Sequence, residues 1–491
     1  LSGDSPYFSS PGVGLTAAVP TGCNVTRATY LIRHSDIYAN DWEYENTLSP
    51  FIEKLGNFTD RDVFTRDSAL AFLANWTSPY TDPDEQIEKV TDLGKADAAA
   101  LGALIAQRHE SILSVNGSGQ FKVWTADASR DQAKGFNTTF SDVSLIVVEE
   151  GEEQAANTLT PHESCEDYDS DAGSTEQDRF IAIYTPPIAS RLNQLTPSFN
   201  WTNDDVYAAQ SLCGYDTVIR NQTSGFCKIF GEDEWLAFEY ANDLMYHRSL
   251  GYGNEFAPVL GMPWISASAR LLSGTANTTQ TNANSSADTQ NLWISFTHRE
   301  EPPFIVTALG LFNTSNASMP TNRINYERAW KTSEILPFLA NVALERMECD
   351  ATAVGHNTSG TYIRTLVNSA TIPLPDCASG PDGSCPLADF QSFIAARESL
   401  YGDFSTACGL NSTNATNTLG IYEGFLPDGG AAVQVTTILL NGTDGNGVGA
   451  KKKGGSGSNS TSTSEALTTT SSQRKTVTIV AALVAIAALA L

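Results

Sequence analysis

Basic residues and histidine are scarce in this chain: its 491 residues carry 29 Lys and Arg against 56 Asp and Glu, and only 6 His. The resulting formal charge of −27 excludes a nucleic-acid partner, because phosphate backbones are bound by Lys and Arg. It suits a soluble extracellular protein instead. The eight cysteines form no CxxC pair. With so little histidine, neither a zinc site nor another metal is expected, and nothing calls for an organic cofactor. The opening LSGDSPYFSS lacks the basic and apolar regions of a signal peptide, so such a segment is expected to have been removed or left out. The closing apolar run VTIVAALVAIAALAL, Val477 to Leu491, falls short of the roughly 20 residues of a bilayer span.

What is present points to the secretory route. Apolar content of 41% with 9% aromatics is ordinary for a folded protein. The cysteines are even in number, and sixteen N-x-S/T sequons run from Asn24 and Asn57 to Asn459. Both features are expected of a disulfide-bonded glycoprotein. After Leu440 the chain turns into a Gly/Ser/Thr-rich stretch that cannot bury enough apolar surface to fold. Small residues between Gly454 and Ser464, a polar spacer and the terminal apolar run together make a GPI-anchor signal. The expected location is the cell surface, with the membrane reached through a lipid anchor only, or secretion after release.

Between the ends, apolar runs that finish in charge alternate with helical spacing. ATYLIRH (Ala28 to His34), FKVWTAD from Phe121, SLIVVEE from Ser144 and NLWISFTH (Asn291 to His298) read as strands. Gly94 to His109 and Arg130 to Phe140 read as helices, and Pro302 and Pro303 stand where another can begin. This alternation predicts a layered α/β domain with a central, mainly parallel sheet. From Gly151 an acidic irregular stretch leads into helical segments such as Glu232 to His247. The expected organisation is 1–150 as the first part of the α/β domain, 151–255 as a helical insertion, and 256–440 as its second part. Residues 441–476 form the stalk and 477–491 the anchor signal.

Arg33-His34 and His298-Arg299-Glu300 each follow a strand-like run, where open α/β sheets collect their ligands. Two histidines accompanied by arginines suggest an anion site with a nucleophile. The wider segments carry a resemblance. ATYLIRHSDIYAN is similar to the histidine acid phosphatase signature RHGxRxP, and TADASRDQAKGF to that family's later arginine segment. Leu250 to Leu272 resembles a phytase stretch, and FTHREEPPFIVTALGLF the family's second motif. YIRTLVNSATIPLPDC, GSCPLADF and Cys408 resemble the phytase C-terminal region.

The resemblance implies a phosphoglycerate-mutase-like α/β fold with a helical cap, and four bridges: Cys23–Cys349, Cys165–Cys408, Cys213–Cys227 and Cys377–Cys385. It also implies an acid phosphatase for a small phosphorylated substrate, phytate among the candidates. In that reading His34 is the nucleophile of a phosphohistidine mechanism. Arg33, Arg130 and His298 surround the phosphoryl oxygens. The chain departs from the pattern at three positions. Ser35 replaces the motif glycine, Ile37 the second arginine, and Arg299 the aspartate after the second histidine. Glu300 stands two after His298, as a glutamate does in the multiple inositol polyphosphate phosphatases, and by that resemblance is the expected acid. Glu301 and Asp36 are further candidates, although a carboxylate in a first helical turn is also what the helix dipole favours. Arg299 is placed to restore charge lost at Ile37.

The remaining histidines read as ordinary: His109 at a helix end that favours a cation, His162 and His356 in polar loops, and His247 as structural. Glu232, Asp233 and Glu234 read as an acidic helix start. A catalytically silent surface glycoprotein that keeps the fold is the alternative, resting on Ile37 and Arg299. A phosphoglycerate-mutase-type transferase shares the histidine chemistry but sits poorly with disulfides, glycans and an anchor.

Overall fold

The computed structural model describes residues 2–113, 121–129, 143–274, 290–313, 318–353, 359–410, 415–423, 435–440 and 451–452. Arg130 with the helix expected over 130–140, His356, and the stalk and anchor signal apart from 451–452 lie outside the described residues.

The apolar runs form the strands. β1 (Cys23–Arg33), β2 (Phe121–Ala126), β3 (Val143–Val148) and β4 (Leu292–Thr297) are followed by β5 (Asn341–Cys349), β6 (Gly360–Val367), β7 (Ala370–Thr371), β8 (Cys385–Pro386), β9 (Val435–Leu440) and β10 (Lys451–Lys452). The sheet runs β10-β9-β3-β2-β4-β1-β5-β6-β7, with β8 on β6. Its centre, β3-β2-β4-β1, is parallel, and β5, β6 and β9 add antiparallel strands outside it. Both faces are covered, which explains why β3 and β4 are apolar without alternation. The pleat still sorts the side chains. Leu31 joins the core on one face, under α6 (Phe256–Ser273), α7 (Glu301–Ala308) and α8 (Leu387–Tyr401). Tyr30 and Ile32 join the other, under α2 (Asp92–Arg108).

A third apolar cluster belongs to the helical layer of α3 (Ser174–Leu195), α4 (Asn203–Arg220) and α5 (Glu232–Ser249). Residues from Ala39 to Tyr80, including α1 (Ser49–Asn57), pack into the same cluster. The layer therefore draws on chain before the insertion as well as on the insertion. Thr202 and Asp205 form a reciprocal capping box at the start of α4. The acidic start of α5 behaves as such a cluster should: Glu234 accepts from the Gly231 N–H at 2.8 Å and pairs with Arg191 at 2.7 Å.

Four disulfides join Cys23–Cys349, Cys165–Cys408, Cys213–Cys227 and Cys377–Cys385, the pairing that the resemblance implies. Beneath α2, the buried Glu345 of β5 receives Arg108 at 2.5 Å and Arg364 at 2.6 Å. His109 lies in this cluster and is fully buried, with Nε2 2.8 Å from the Tyr30 hydroxyl. Burial lowers its pKa to about 4 despite Glu345, so it is a neutral core residue and not the helix-end cation expected from its position. His247 is structural: burial lowers its pKa to about 4, and its ring lies 5.9 Å from that of Trp330.

Candidate active site

Register places the two motif histidines side by side. β1 and β4 run parallel with Arg33 opposite Thr297, so His34 and His298 are each the first residue beyond the sheet edge. The His34 N–H donates to the Thr297 carbonyl at 2.9 Å. This is the carboxyl edge of the parallel strands, where the fold leaves room for a ligand.

The His34 ring is held in one orientation. Its Nδ1 lies 3.0 Å from the Ser35 carbonyl, which can only accept, so Nδ1 carries the proton and Nε2 the lone pair. Burial first, and then the Arg33 charge, hold its pKa well below 6.5, which favours the neutral imidazole. Arg33 is buried and anchored through Nη1 to the carbonyls of Gly3 and Leu336, both at 2.6 Å. Its guanidinium stacks on Phe338 at 4.6 Å, and its Nε lies 3.5 Å from His34 Nε2.

His298 carries a charge. Burial opposes this, but Glu150, Glu301 and Glu300 outweigh it and lift its pKa to about 9. Glu150 lies 3.4 Å from its Nε2 and Glu163 3.6 Å from its Nδ1. Arg299 enters the same space. It lies 3.1 Å from Glu300, donates to the Tyr246 hydroxyl at 3.2 Å, and approaches Glu43 at 3.6 Å. Burial and then the nearby Arg299 charge lower the pKa of Arg33, so the two guanidiniums stand close enough to repel.

The proton inventory differs from the sequence expectation. Burial opposes ionisation of Glu300, yet Arg299, His162 and His298 hold its pKa well below the ordinary 4.5. Glu300 is therefore a carboxylate in the free site and carries no proton to donate. Asp4 has the opposite character. Burial, then the Glu43 carboxylate, raise its pKa to about 7 against Arg33 and Arg299. Tyr215 bridges the two carboxyl groups, 3.3 Å from Asp4 and 2.5 Å from Glu43. Asp4 and Glu300 line one cavity of about 670 Å³ with Glu43, Tyr215, Tyr246 and Arg299.

The further candidates lie elsewhere. Glu301 is buried, bound to His162 Nδ1 at 2.5 Å and accepting from the Thr297 hydroxyl at 2.9 Å. His162 is not a loop histidine in solvent, since its ring stands 5.9 Å from that of His298. Asp36 is fully buried, and burial together with Asp97 pushes its pKa up to about 7. Its carbonyl accepts from the Thr91 N–H at the start of α2. A Cβ on Gly94 would stand 2.3 Å from that carbonyl, so only glycine fits this approach. Ile37 bridges to Val90 and packs against the core of the helical layer. The structure thus brings together Arg33, His34, His298, Arg299 and Glu300; Arg130 lies outside the described residues.

A mixed sheet with parallel strands at its centre, a helical layer over the strand ends, and paired histidines and arginines at that edge define a phosphoryl-transfer type of site. Residues 26–368 match the histidine phosphatase superfamily (branch 2), and the chain belongs to that family. It is 28% identical over 426 residues to the phytase PHO112 of Candida albicans, covering 84% of this chain and 87% of that one. Identity to the acid phosphatase PHO1 of Komagataella pastoris is 29% over 425 residues, covering 84% and 86%. Among solved structures, the phytase from D. castellii superposes with a TM-score of 0.72 at 25% identity, covering 86% of this chain and 88% of that one.

Proposed function

We propose that this chain is a phosphomonoester hydrolase that works through a phosphohistidine on His34 in acid. The observation that carries the reading is the β1–β4 register, which sets neutral His34 beside cationic His298 with Arg33 and Arg299 around them. His34 Nε2 attacks phosphorus. The bond to the ester oxygen breaks, and the departing alkoxide takes the Asp4 proton. Arg33, Arg299 and His298 stabilise charge on the equatorial oxygens. Water then attacks the phosphohistidine and gives its proton to Glu300, freeing phosphate and His34. Glu300 returns that proton through solvent to Asp4.

This division of labour follows the pattern in which neighbouring carboxyls with pKa values pushed apart serve as acid and base. Arg299 occupies the role that Ile37 cannot fill, which favours an active enzyme over a silent one. The sequons and the C-terminal signal support placement at the cell surface by a GPI anchor. Two assays test the reading. Phosphate release from p-nitrophenyl phosphate between pH 2.5 and 7 should disappear in His34→Ala. Phosphatidylinositol-specific phospholipase C should release the activity from intact cells.

A further inference from the structure

The cavity lined by Asp4 and Glu300 has a chemical character that bears on the substrate. Arg299 and Glu300 belong both to its wall and to the candidate site, so it adjoins the phosphoryl position proposed above. Acidic residues outnumber basic ones along its wall. Glu43 and Glu300 are partly withdrawn from solvent, whereas Asp171, Asp178 and Asp204 stand exposed along its wall; Asp4, which keeps its proton below about pH 7, adds no charge there. Asp205 is offset by Lys54 at 2.5 Å. Among the described residues, Arg299 is the only Lys or Arg that lines the cavity, and Glu300 and Glu43 already hold it.

The uncharged part of the wall mixes polar and aliphatic side chains with five amphipathic rings, Trp42, Tyr168, Tyr207, Tyr215 and Tyr246. Trp42 is 61% exposed, an unusual cost for a ring of that size unless it meets something. Aromatic faces set among carboxylates attract organic cations, through the ring quadrupole and through direct charge. The same wall repels a leaving group that carries further phosphates, and the −27 charge of the chain adds to that repulsion at longer range.

We infer that the enzyme selects phosphomonoesters whose leaving group is an organic cation, such as an aminoalkyl or quaternary ammonium alcohol, over polyphosphorylated esters. The inference rests on the hydrolase reading above, because it takes the His34 centre as the place where phosphate sits. The ammonium group lies among the acidic residues and rings while the phosphate meets Arg33, Arg299 and His298.

The test compares kcat/KM for phosphocholine, glycerol phosphate and inositol hexakisphosphate on the full chain at pH 5. In parallel, calorimetry compares binding of phosphocholine and inositol hexasulfate. The expected order is phosphocholine over glycerol phosphate by roughly tenfold, as one cation–aromatic contact with added charge allows, and inositol hexakisphosphate last. The advantage of phosphocholine should shrink at high salt. In Asp171→Asn/Asp204→Asn, exposed positions that do not endanger folding, the ratio of phosphocholine to glycerol phosphate should fall toward one. A preference for inositol hexakisphosphate, or a ratio unmoved by the double variant, overturns the inference. If no ester is hydrolysed, the hydrolase reading fails, and binding still decides the cavity's character. Tighter binding of phosphocholine than of inositol hexasulfate then supports it, and the reverse overturns it.

Discussion

Replacing Asp4 by Asn separates the proposed proton donor from the rest of the site. Asp4 holds its proton up to about pH 7 because burial and Glu43 disfavour its charge more than Arg33 and Arg299 favour it. Its folded pKa is raised, so the protonated and competent form is present below about 7 and is lost as pH rises through that value. Activity should therefore fall on the alkaline side near pH 7, while His34, whose pKa burial and Arg33 hold well below 6.5, sets no limb there. General acid catalysis contributes about 10²–10⁴ in rate, and its share grows as the leaving group becomes poorer. Asp4→Asn should lower kcat/KM for glycerol phosphate by that factor and for p-nitrophenyl phosphate far less, because a nitrophenolate departs without help. It should also abolish the limb near pH 7. The assay is a pair of pH–rate profiles from pH 3 to 9, one for each ester. Equal losses on both esters, or an intact alkaline limb in the variant, would refute the assignment.

The remaining predictions concern the partners of Asp4 and the scaffold. Glu300→Gln should leave the first half of the reaction and slow the second, so rapid mixing should show a burst of nitrophenol near one per chain followed by a slow phase. Arg299→Ala removes one oxyanion contact and should cost roughly 10²–10³ in kcat, in line with about 2.7–4 kcal/mol; steady-state kinetics at saturating substrate measure it. Glu345→Gln should cost about 3–5 kcal/mol at pH 6, because it strands the buried Arg364, as read by urea unfolding with the disulfides intact. Arg108 and Arg364 overcome burial and hold the Glu345 pKa at about 2 against its ordinary 4.5, a difference worth roughly 3 kcal/mol. That stability is present above 4.5 and lost as pH falls toward 2, so the gap between wild type and variant should narrow over the same window.

The centre of the fold was legible because its strands are buried on both faces and therefore read as apolar runs ending in charge. β1 and β4 stop at Arg33 and Thr297, and the residues after them are the ones that the motif comparison singled out. Pairing between those strands was not written in either run, since parallel register is set by the crossovers. The proposed acid escaped for a different reason. Glu300 has the right position in sequence, but its ionisation depends on Arg299, His162 and His298, the first its neighbour and the second 138 residues earlier in the numbering. Asp4 carries no motif at all; its environment comes from Glu43 and Tyr215, on segments that only the folded chain brings together. His162 looked like a loop residue because nothing local announces its bond to Glu301. Helical periodicity found α5 but gave no sign that residues 39–80 share its core, a contact made by aromatic rings such as Phe51, Phe199 and Trp201.

The most direct test of the account is to trap the covalent intermediate. The purified chain is mixed with p-nitrophenyl phosphate at pH 5, quenched in alkali within milliseconds, digested, and mapped by mass spectrometry. The account predicts phosphate on the peptide bearing His34, more of it in Glu300→Gln than in wild type, and none in His34→Ala. Phosphate on another residue, or undiminished hydrolysis in His34→Ala, would contradict it.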